Sequence, residues 1–374
     1  MELDFLQFRD AVLYPKRRLE AYVALGKKVI GCFPPYVPES LIYASGMVPF
    51  GMWGAELEVA QAKKYFPAYI CGIMQTNIEL AMRGVYDGIS AAIIPTLCDS
   101  LKCATQNWKY AVPDIEMITV NYPQNRQSKG AFEFLYHQFQ KIQEDLERIS
   151  GNKIKESNLK KSIDIYNTHY SVMREFLDLC SFYPAEISPE NRNYVIKSGY
   201  FMDKNEHTEM VRNLIKDIKH IEPKRFRGIR VITTGIIADS PDLMRIFEEN
   251  KVSVVMDDIA HESRQFRTDI PYEPGDIMGC LVQQFLDLFA CSTLIGGKIS
   301  REDHIVQLVE KYHADGVIII LTKFCDPEEY DYPVIKKKLE EHHIPMLTLE
   351  IDKQMSNYGQ AATAIQSFQE MIRL

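Results

Sequence analysis

The chain lacks the spacings that usually mark a metal site. It has no C-x2-C and no H-x3-H pair, which disfavours structural zinc, and nothing in it follows the compact C-x2-C-x2-C run of ferredoxins. Without a G-x-G-x-x-G loop it carries no dinucleotide fingerprint, and neither H-E-x-x-H nor a Ser–His–Asp order suggests a hydrolytic centre. No window approaches the ~20 uncharged apolar residues that span a bilayer. The N-terminus, Met1-Glu-Leu-Asp-Phe-Leu-Gln-Phe-Arg-Asp10, mixes charge with apolar residues where a secretion signal would have a basic start and an apolar core. These absences predict a cytoplasmic protein with no membrane partner. Positive charge is also in short supply. A formal net charge of −8 argues against a nucleic-acid partner, which calls for a clustered basic face. The basic run from Lys219 to Arg230 reads as a solvated linker ahead of a strand.

Cysteine is present in quantity. Eight cysteines (Cys32, Cys71, Cys98, Cys103, Cys180, Cys280, Cys291 and Cys325) are many for a reducing compartment, where disulfides are rare, and few for a disulfide scaffold. Such a set invites a metal or redox reading, although free cysteines also serve as small buried hydrophobes. Two of them stand in matching places. The apolar run Ile89 to Ile94 reads as a buried strand, and Cys98-Asp99 lies just past its C-terminal end. Gly316-Val-Ile-Ile-Ile-Leu-Thr-Lys-Phe-Cys325-Asp326 repeats the arrangement late in the chain. Open α/β sheets bind ligands at the C-terminal ends of their strands. Two Cys-Asp strand ends therefore suggest one site shared between two similar halves, and a metal cluster as its occupant.

The spacing of apolar residues supports that division. At 374 residues the chain exceeds a single ordinary core. Up to about residue 128, helix and strand alternate, with a short helix over Tyr36 to Gly46, strands at Met47 to Trp53, Ile89 to Ile94 and Glu116 to Val120, and a helix over Thr76 to Gly84. Alternation of this kind implies a parallel sheet with right-handed crossovers. From Ala131 to Cys180 glycine and proline almost vanish. Phe132, Leu135, Phe139, Ile142, Leu146 and Ile149 recur at helical spacing, and Ile163, Tyr166, Tyr170, Met173, Phe176 and Leu177 continue it on a second helix. A second α/β unit opens near Arg225, with strands at Ile229 to Thr233, Val252 to Met256, Gly316 to Leu321 and Met346 to Ile351. Helices are expected over Pro241 to Glu249, Ile277 to Phe289, Arg301 to His313 and Gly359 to Ile372. The expected architecture is α/β: two Rossmann-like, doubly wound parallel-sheet domains (residues 1–128 and 225–374) joined by a helical clip segment (129–224).

Longer motifs carry a resemblance. Cys32-Phe-Pro-Pro-Tyr-Val-Pro-Glu39-Ser40-Leu-Ile-Tyr-Ala-Ser-Gly46-Met-Val-Pro-Phe50, Ile70-Cys71, Pro95-Thr-Leu-Cys98-Asp99, Lys323-Phe-Cys325-Asp326-Pro327 and Ile344-Pro-Met-Leu-Thr-Leu-Glu350 together resemble the 2-hydroxyacyl-CoA dehydratase and benzoyl-CoA reductase family over essentially the whole chain. Length and the helical middle are most similar to the beta subunits of (R)-2-hydroxyacyl-CoA dehydratases of the 2-hydroxyisocaproyl-CoA and phenyllactyl-CoA type. The resemblance implies a [4Fe-4S] cluster between the halves, with Cys71, Cys98 and Cys325 as its thiolate ligands and Cys32 as a further candidate. It implies a homologous alpha subunit with a second cluster, an ATP-dependent iron–sulfur activator, and a 2-hydroxyacyl-CoA substrate bound mainly by the partner. The chemistry it implies is a radical dehydration. An injected electron makes a ketyl radical anion that expels the α-hydroxyl, the β-proton becomes acidic, and the electron returns. This chain's cluster would then be a relay. The alternatives are a benzoyl-CoA-reductase-type subunit and a cluster-bearing electron-transfer accessory protein.

The remaining polar groups and cysteines admit plainer roles. Glu39 and Ser40 could line the cleft, with helix capping an equal alternative for Glu39. Asp257-Asp258-Ile-Ala-His261-Glu262-Ser263-Arg264 follows a strand end, where it could face the cleft or form a salt-bridged loop. Gly235 permits close backbone approach at another strand end. Cys103, Cys180, Cys280 and Cys291 are read as packed side chains.

Overall fold

A computed structural model describes residues 3–273 and 275–373. The chain opens with helices α1 (Leu6–Leu13) and α2 (Pro15–Ala24); Pro15 suits a first helical turn because its φ is preset and its missing N–H would go unpaired there anyway. A first α/β unit follows as β1 (Val29–Cys32), α3 (Glu39–Ala44), β2 (Val48–Gly51), α4 (Gly72–Met82), β3 (Ile89–Pro95), α5 (Asp99–Ala111) and β4 (Glu116–Val120). Four helices come next, α6 (Ala131–Ser150), α7 (Glu156–Phe182), α8 (Pro189–Ser198) and α9 (Lys204–Lys219). The second unit is β5 (Ile229–Gly235), α10 (Pro241–Glu249), β6 (Val252–Ile259), α11 (Ile277–Asp287), α12 (Arg301–Tyr312), β7 (Gly316–Thr322), α13 (Asp326–Glu341), β8 (Met346–Ile351) and α14 (Gly359–Arg373).

Each unit builds one four-stranded sheet, ordered β2-β1-β3-β4 and β6-β5-β7-β8, with every named pairing parallel. The two orders are equivalent, so β3 and β7 occupy the same place. Both are short, mostly buried apolar runs, β7 of branched residues and β3 of isoleucine and alanine with Ser90 exposed, as parallel sheets with helices on either side demand. Their registers match as well, since β3 is paired through Pro95↔Val120 and β7 through Thr322↔Ile351. At the end of β5, Gly235 lies at φ +155°, and a Cβ there would meet the Ile320 carbonyl oxygen at 2.3 Å, so only glycine fits. The close approach expected of this glycine is thus made by the neighbouring strand.

Within residues 129–224 the chain holds two more helices than the apolar spacing indicated. The expected stripe is buried at Leu135, Phe139, Ile142 and Leu146 on α6 and at Ile163, Tyr166, Met173, Phe176 and Leu177 on α7. Helices α8 and α9 extend the segment, each capped by a side chain, Ser188 and Asp203, that accepts from first-turn amides. The clip shares its core with both sheets: α11 packs on α6, α7 packs on β6, and Ile277, Leu281 and Phe285 of α11 join the apolar core beneath the first sheet. Helix α4 begins at Gly72, four residues before the Thr76 expected from apolar spacing, and its first residue lies close against the second half.

Candidate functional site

Cys71, Cys98 and Cys325 each occupy the N-cap of a helix, α4, α5 and α13 respectively. Cys98 and Cys325 follow the equivalent strands β3 and β7, so the repeated Cys-Asp ends are structurally homologous positions. Phe324, at φ +60°, turns the chain so that Cys325 opens α13. Cys71 arrives by a different route, on the helix that precedes β3. Its neighbour Gly72 sits against the second half, where a Cβ would meet Asp352 Oδ1 at 2.7 Å and Lys353 Cβ at 3.4 Å. The seam is tied by Leu57 N–H donating to the Lys353 carbonyl at 3.1 Å and by the Tyr358 hydroxyl donating to Glu56.

The three thiols act on one another electrostatically. Burial pushes Cys71 up to about 12, and the charge of Cys98 pushes in the same direction. Burial likewise holds Cys325 far above its ordinary value, followed by the charges of Cys71, Glu328 and Cys98. Cys98, half-buried, is raised by burial and then opposed by the amides of Leu101 and Ser100. None of the three sulfurs reaches the geometry of an ordinary capping hydrogen bond. Even so, first-turn N–H groups of all three helices favour the thiolate, those of Ile73 and Met74 at Cys71 and that of Glu328 at Cys325. As thiolates, the two buried groups, Cys71 and Cys325, would repel one another and need a cationic partner. Among the described residues no three His, Cys, Asp or Glu side chains form a group able to hold one metal ion. A single tetrahedral ion would draw thiolates to roughly 3.8 Å from each other.

Cys32 is not brought to this triad. It ends β1 and lines a separate cavity of about 50 Å3 together with Glu39, Tyr166, Tyr200 and Lys204, and burial and the Glu39 charge raise its thiol. Glu39 opens α3, accepts from Lys204 Nζ at 3.1 Å and from the Tyr166 hydroxyl at 3.2 Å, and so faces this cavity. Ser40 contributes its carbonyl, which accepts from Ser162 at 2.5 Å. A cavity of this size holds a few waters.

The Asp257–Arg264 segment forms a buried ion network. Asp258 accepts from Arg264 Nη2, Arg267 Nη2 and Arg301 Nε, all at 2.9 Å, and these cations hold its carboxyl well below the usual range against the opposing effect of burial. Asp257 and Glu262 both pair with Arg192 of the clip. Arg301 also binds Glu328 at 2.6 Å and Asp331 at 3.0 Å. Sequence reading missed Arg301 and Glu328, whose partners are far away in the chain; the one local signal was the position of Glu328 a helical turn past Cys325. Cys103 accepts weakly from Asn107 at 3.4 Å, and Cys180 is buried on α7. Cys280 lies on α11 as expected, with the Glu273 amide 3.3 Å from its sulfur. Cys291 departs from a merely packed side chain. Arg264 Nη1 lies 3.5 Å from its sulfur and pulls the thiol below its ordinary value despite burial.

Among the described residues no helix is long and apolar enough to cross a membrane. The family profile described as "2-hydroxyglutaryl-CoA dehydratase, D-component" matches residues 34–372. The chain is 52% identical over 369 residues to the (R)-phenyllactyl-CoA dehydratase beta subunit of Clostridium sporogenes, with 98% of each chain covered. It is 37% identical to the lactoyl-CoA dehydratase subunit beta of Anaerotignum propionicum and 36% identical to the (R)-2-hydroxyglutaryl-CoA dehydratase subunit beta of Acidaminococcus fermentans, again over 98% of each chain. With the profile spanning nearly all of the chain and two equivalent strand ends each delivering a thiol, the protein belongs to the 2-hydroxyglutaryl-CoA dehydratase D-component family.

Proposed function

We propose that this chain is the beta subunit of an (R)-2-hydroxyacyl-CoA dehydratase, a hydro-lyase working by a radical route, and that Cys71, Cys98 and Cys325 hold a [4Fe-4S] cluster that passes an electron to a substrate-binding alpha subunit. The observation that carries the reading is that Cys71, Cys98 and Cys325 cap the N-termini of three helices drawn from both halves, with Cys71 and Cys325 buried and each raised by the charge of Cys98 as well as by burial. When bound, the cluster supplies a one-electron donor that is recovered at the end of each turnover. The residues of this chain hold its charge. Helices α4, α5 and α13 turn their positive ends toward the sulfurs, which stabilises thiolate ligands, and burial of Cys71 and Cys325 keeps water from them.

The cavity beside Cys32, at about 50 Å3, has no room for an acyl-CoA. The beta-subunit names of the relatives support the existence of a partner, on which this reading places the substrate. An ATP-dependent iron–sulfur activator would supply the electron. The test is anaerobic purification followed by iron analysis and a dehydration assay. The expected result is a cubane's complement of iron per chain, and conversion of a 2-hydroxyacyl-CoA to the 2-enoyl-CoA only with alpha partner, activator and ATP together. Absence of iron after anaerobic reconstitution would refute the cluster. Reduction of benzoyl-CoA by the same complex would move the assignment to the benzoyl-CoA reductase branch; the chain is 27% identical over 341 residues to a benzoyl-CoA reductase polypeptide of Thauera aromatica.

A further inference from the structure

The Glu328 side chain lies one helical turn past Cys325 and is 1% exposed. Its amide donates to the Cys325 carbonyl at 3.0 Å. Its carboxylate is fixed from three sides, accepting from Arg301 Nη2 at 2.6 Å, Ser292 Oγ at 2.7 Å and Arg264 Nη1 at 3.3 Å. A charge this deeply buried costs several kcal/mol in lost hydration and persists only when paired. The pairing here is balanced, with Asp258, Glu328 and Asp331 set against Arg264, Arg267 and Arg301. Neutral as a set, the network reaches the site through Glu328, the member that sits in the first turn of the helix capped by Cys325.

We infer that Glu328 is a positioning residue that sets the reduction potential of the group held by Cys71, Cys98 and Cys325, an inference that rests on the cluster assignment above. A fixed negative charge one helical turn from a ligand cysteine makes an added electron less welcome, and charge and hydrogen bonding near the sulfurs are the levers by which proteins place a cluster's potential. Because the carboxylate is buried, salt screens it little. Because two guanidiniums and a hydroxyl hold it, it cannot swing away when the electron arrives. The Ser292 hydroxyl and the guanidiniums also withdraw part of its charge, so the contribution of Glu328 to the potential is graded by its donors.

The experiment is an EPR-monitored redox titration of the anaerobically purified chain with its partner subunit, paired with iron analysis, on the wild type, Glu328→Gln and Ser292→Ala. Glu328→Gln should keep its iron and shift the midpoint to a more positive potential. Ser292→Ala, which bares the carboxylate without removing it, should shift the midpoint the opposite way and by less. An iron-loaded Glu328→Gln protein with an unchanged midpoint overturns the inference, as do two variants that move in the same direction, the mark of general loosening. If Glu328→Gln fails to fold, Ser292→Ala decides, and an unchanged or more positive midpoint there overturns it. A wild type without iron overturns the cluster assignment itself, an outcome the iron analysis separates from the others.

Discussion

The two sheets are wound in the same order but end in different chemistry. In the first half, β1, β2 and β3 finish in Cys32, Gly51 and Pro95, and no charged side chain sits on those ends. In the second half, β6 finishes in Asp257-Asp258-Ile259, and its two carboxylates organise four arginines. The helix entering the third strand differs in the same sense. Helix α4 is capped by the thiol of Cys71, while α12 is capped by Ser300, whose hydroxyl accepts from the Asp303 amide, and continues with Arg301. Only the helix leaving the third strand is alike, with a cysteine at the cap and an aspartate after it. A site on the seam between two similar units needs just one shared position. The other equivalent positions are free to diverge, here toward a second helix-capping cysteine on one side and toward fixed charge on the other.

That contrast can be broken or sharpened by substitution. The largest effect is expected at the shared position: Cys98→Ala and Cys325→Ala should each abolish iron binding while leaving thermal unfolding nearly unchanged. Retention of a full iron complement by either would show that the halves do not contribute alike. Next comes the charge network. Asp258→Ala leaves buried guanidiniums without their common partner and should cost about 3–5 kcal/mol in urea unfolding. In the first half, Glu79, which accepts from the amides of Ala60, Gln61 and Ala62, should cost only about 2 kcal/mol as Glu79→Ala. Equal losses would remove the distinction between a charge-built and an apolar half.

A smaller effect is expected from pH at the seam. His261 lies 4.7 Å from the Trp53 ring of the first half and 4.8 Å from Tyr200, with neither ring nitrogen hydrogen-bonded. Burial lowers it from 6.5 to about 3, with Lys197 and Lys353 adding to the shift and Asp239 opposing it. The unfolded chain therefore binds the proton first, so the stability contributed by neutral His261 is complete above pH 6.5 and is lost as pH falls toward 3. Between pH 7.5 and 5.5 that is about 1.4 kcal/mol. The stability lost over this interval should shrink by that amount in His261→Phe, and an identical loss would show that the histidine does not titrate on unfolding. The smallest effect belongs to the cap of α12, where Ser300→Ala should cost about 1 kcal/mol. A negligible cost there would mean that the hydroxyl adds nothing the Cys71 cap lacks.

Much of this arrangement was legible in the sequence. The runs of β3 and β7 and their Cys-Asp ends stood out because fully buried parallel strands read as continuous apolar stretches. The clip helices followed from the spacing of Leu135, Phe139, Ile142 and Leu146. Strand β1 escaped because Val29-Ile-Gly-Cys32 is too short to show any period. The ion network escaped for a different reason. Asp258, Arg264, Arg301 and Glu328 come from four separate elements, and charge pairing leaves no periodic trace. Cys32, although it belongs to the same motif set as Glu39, was drawn by β1 and α3 into a cavity against the clip, away from the triad.

The tight fit at Gly72 carries a consequence for the order of events during synthesis. Two of the three thiols are translated early, but the third follows β7, and the Asp352–Lys353 corner that presses on Gly72 comes only after β8, next to the last helix. Domains tend to fold from the N-terminus as they emerge, so the first unit can close while Cys71 and Cys98 still face solvent without their counterpart. The three cysteines can be set against one another only once β7 and the Asp352–Lys353 corner have left the ribosome, so loading of the proposed cluster would be a late step.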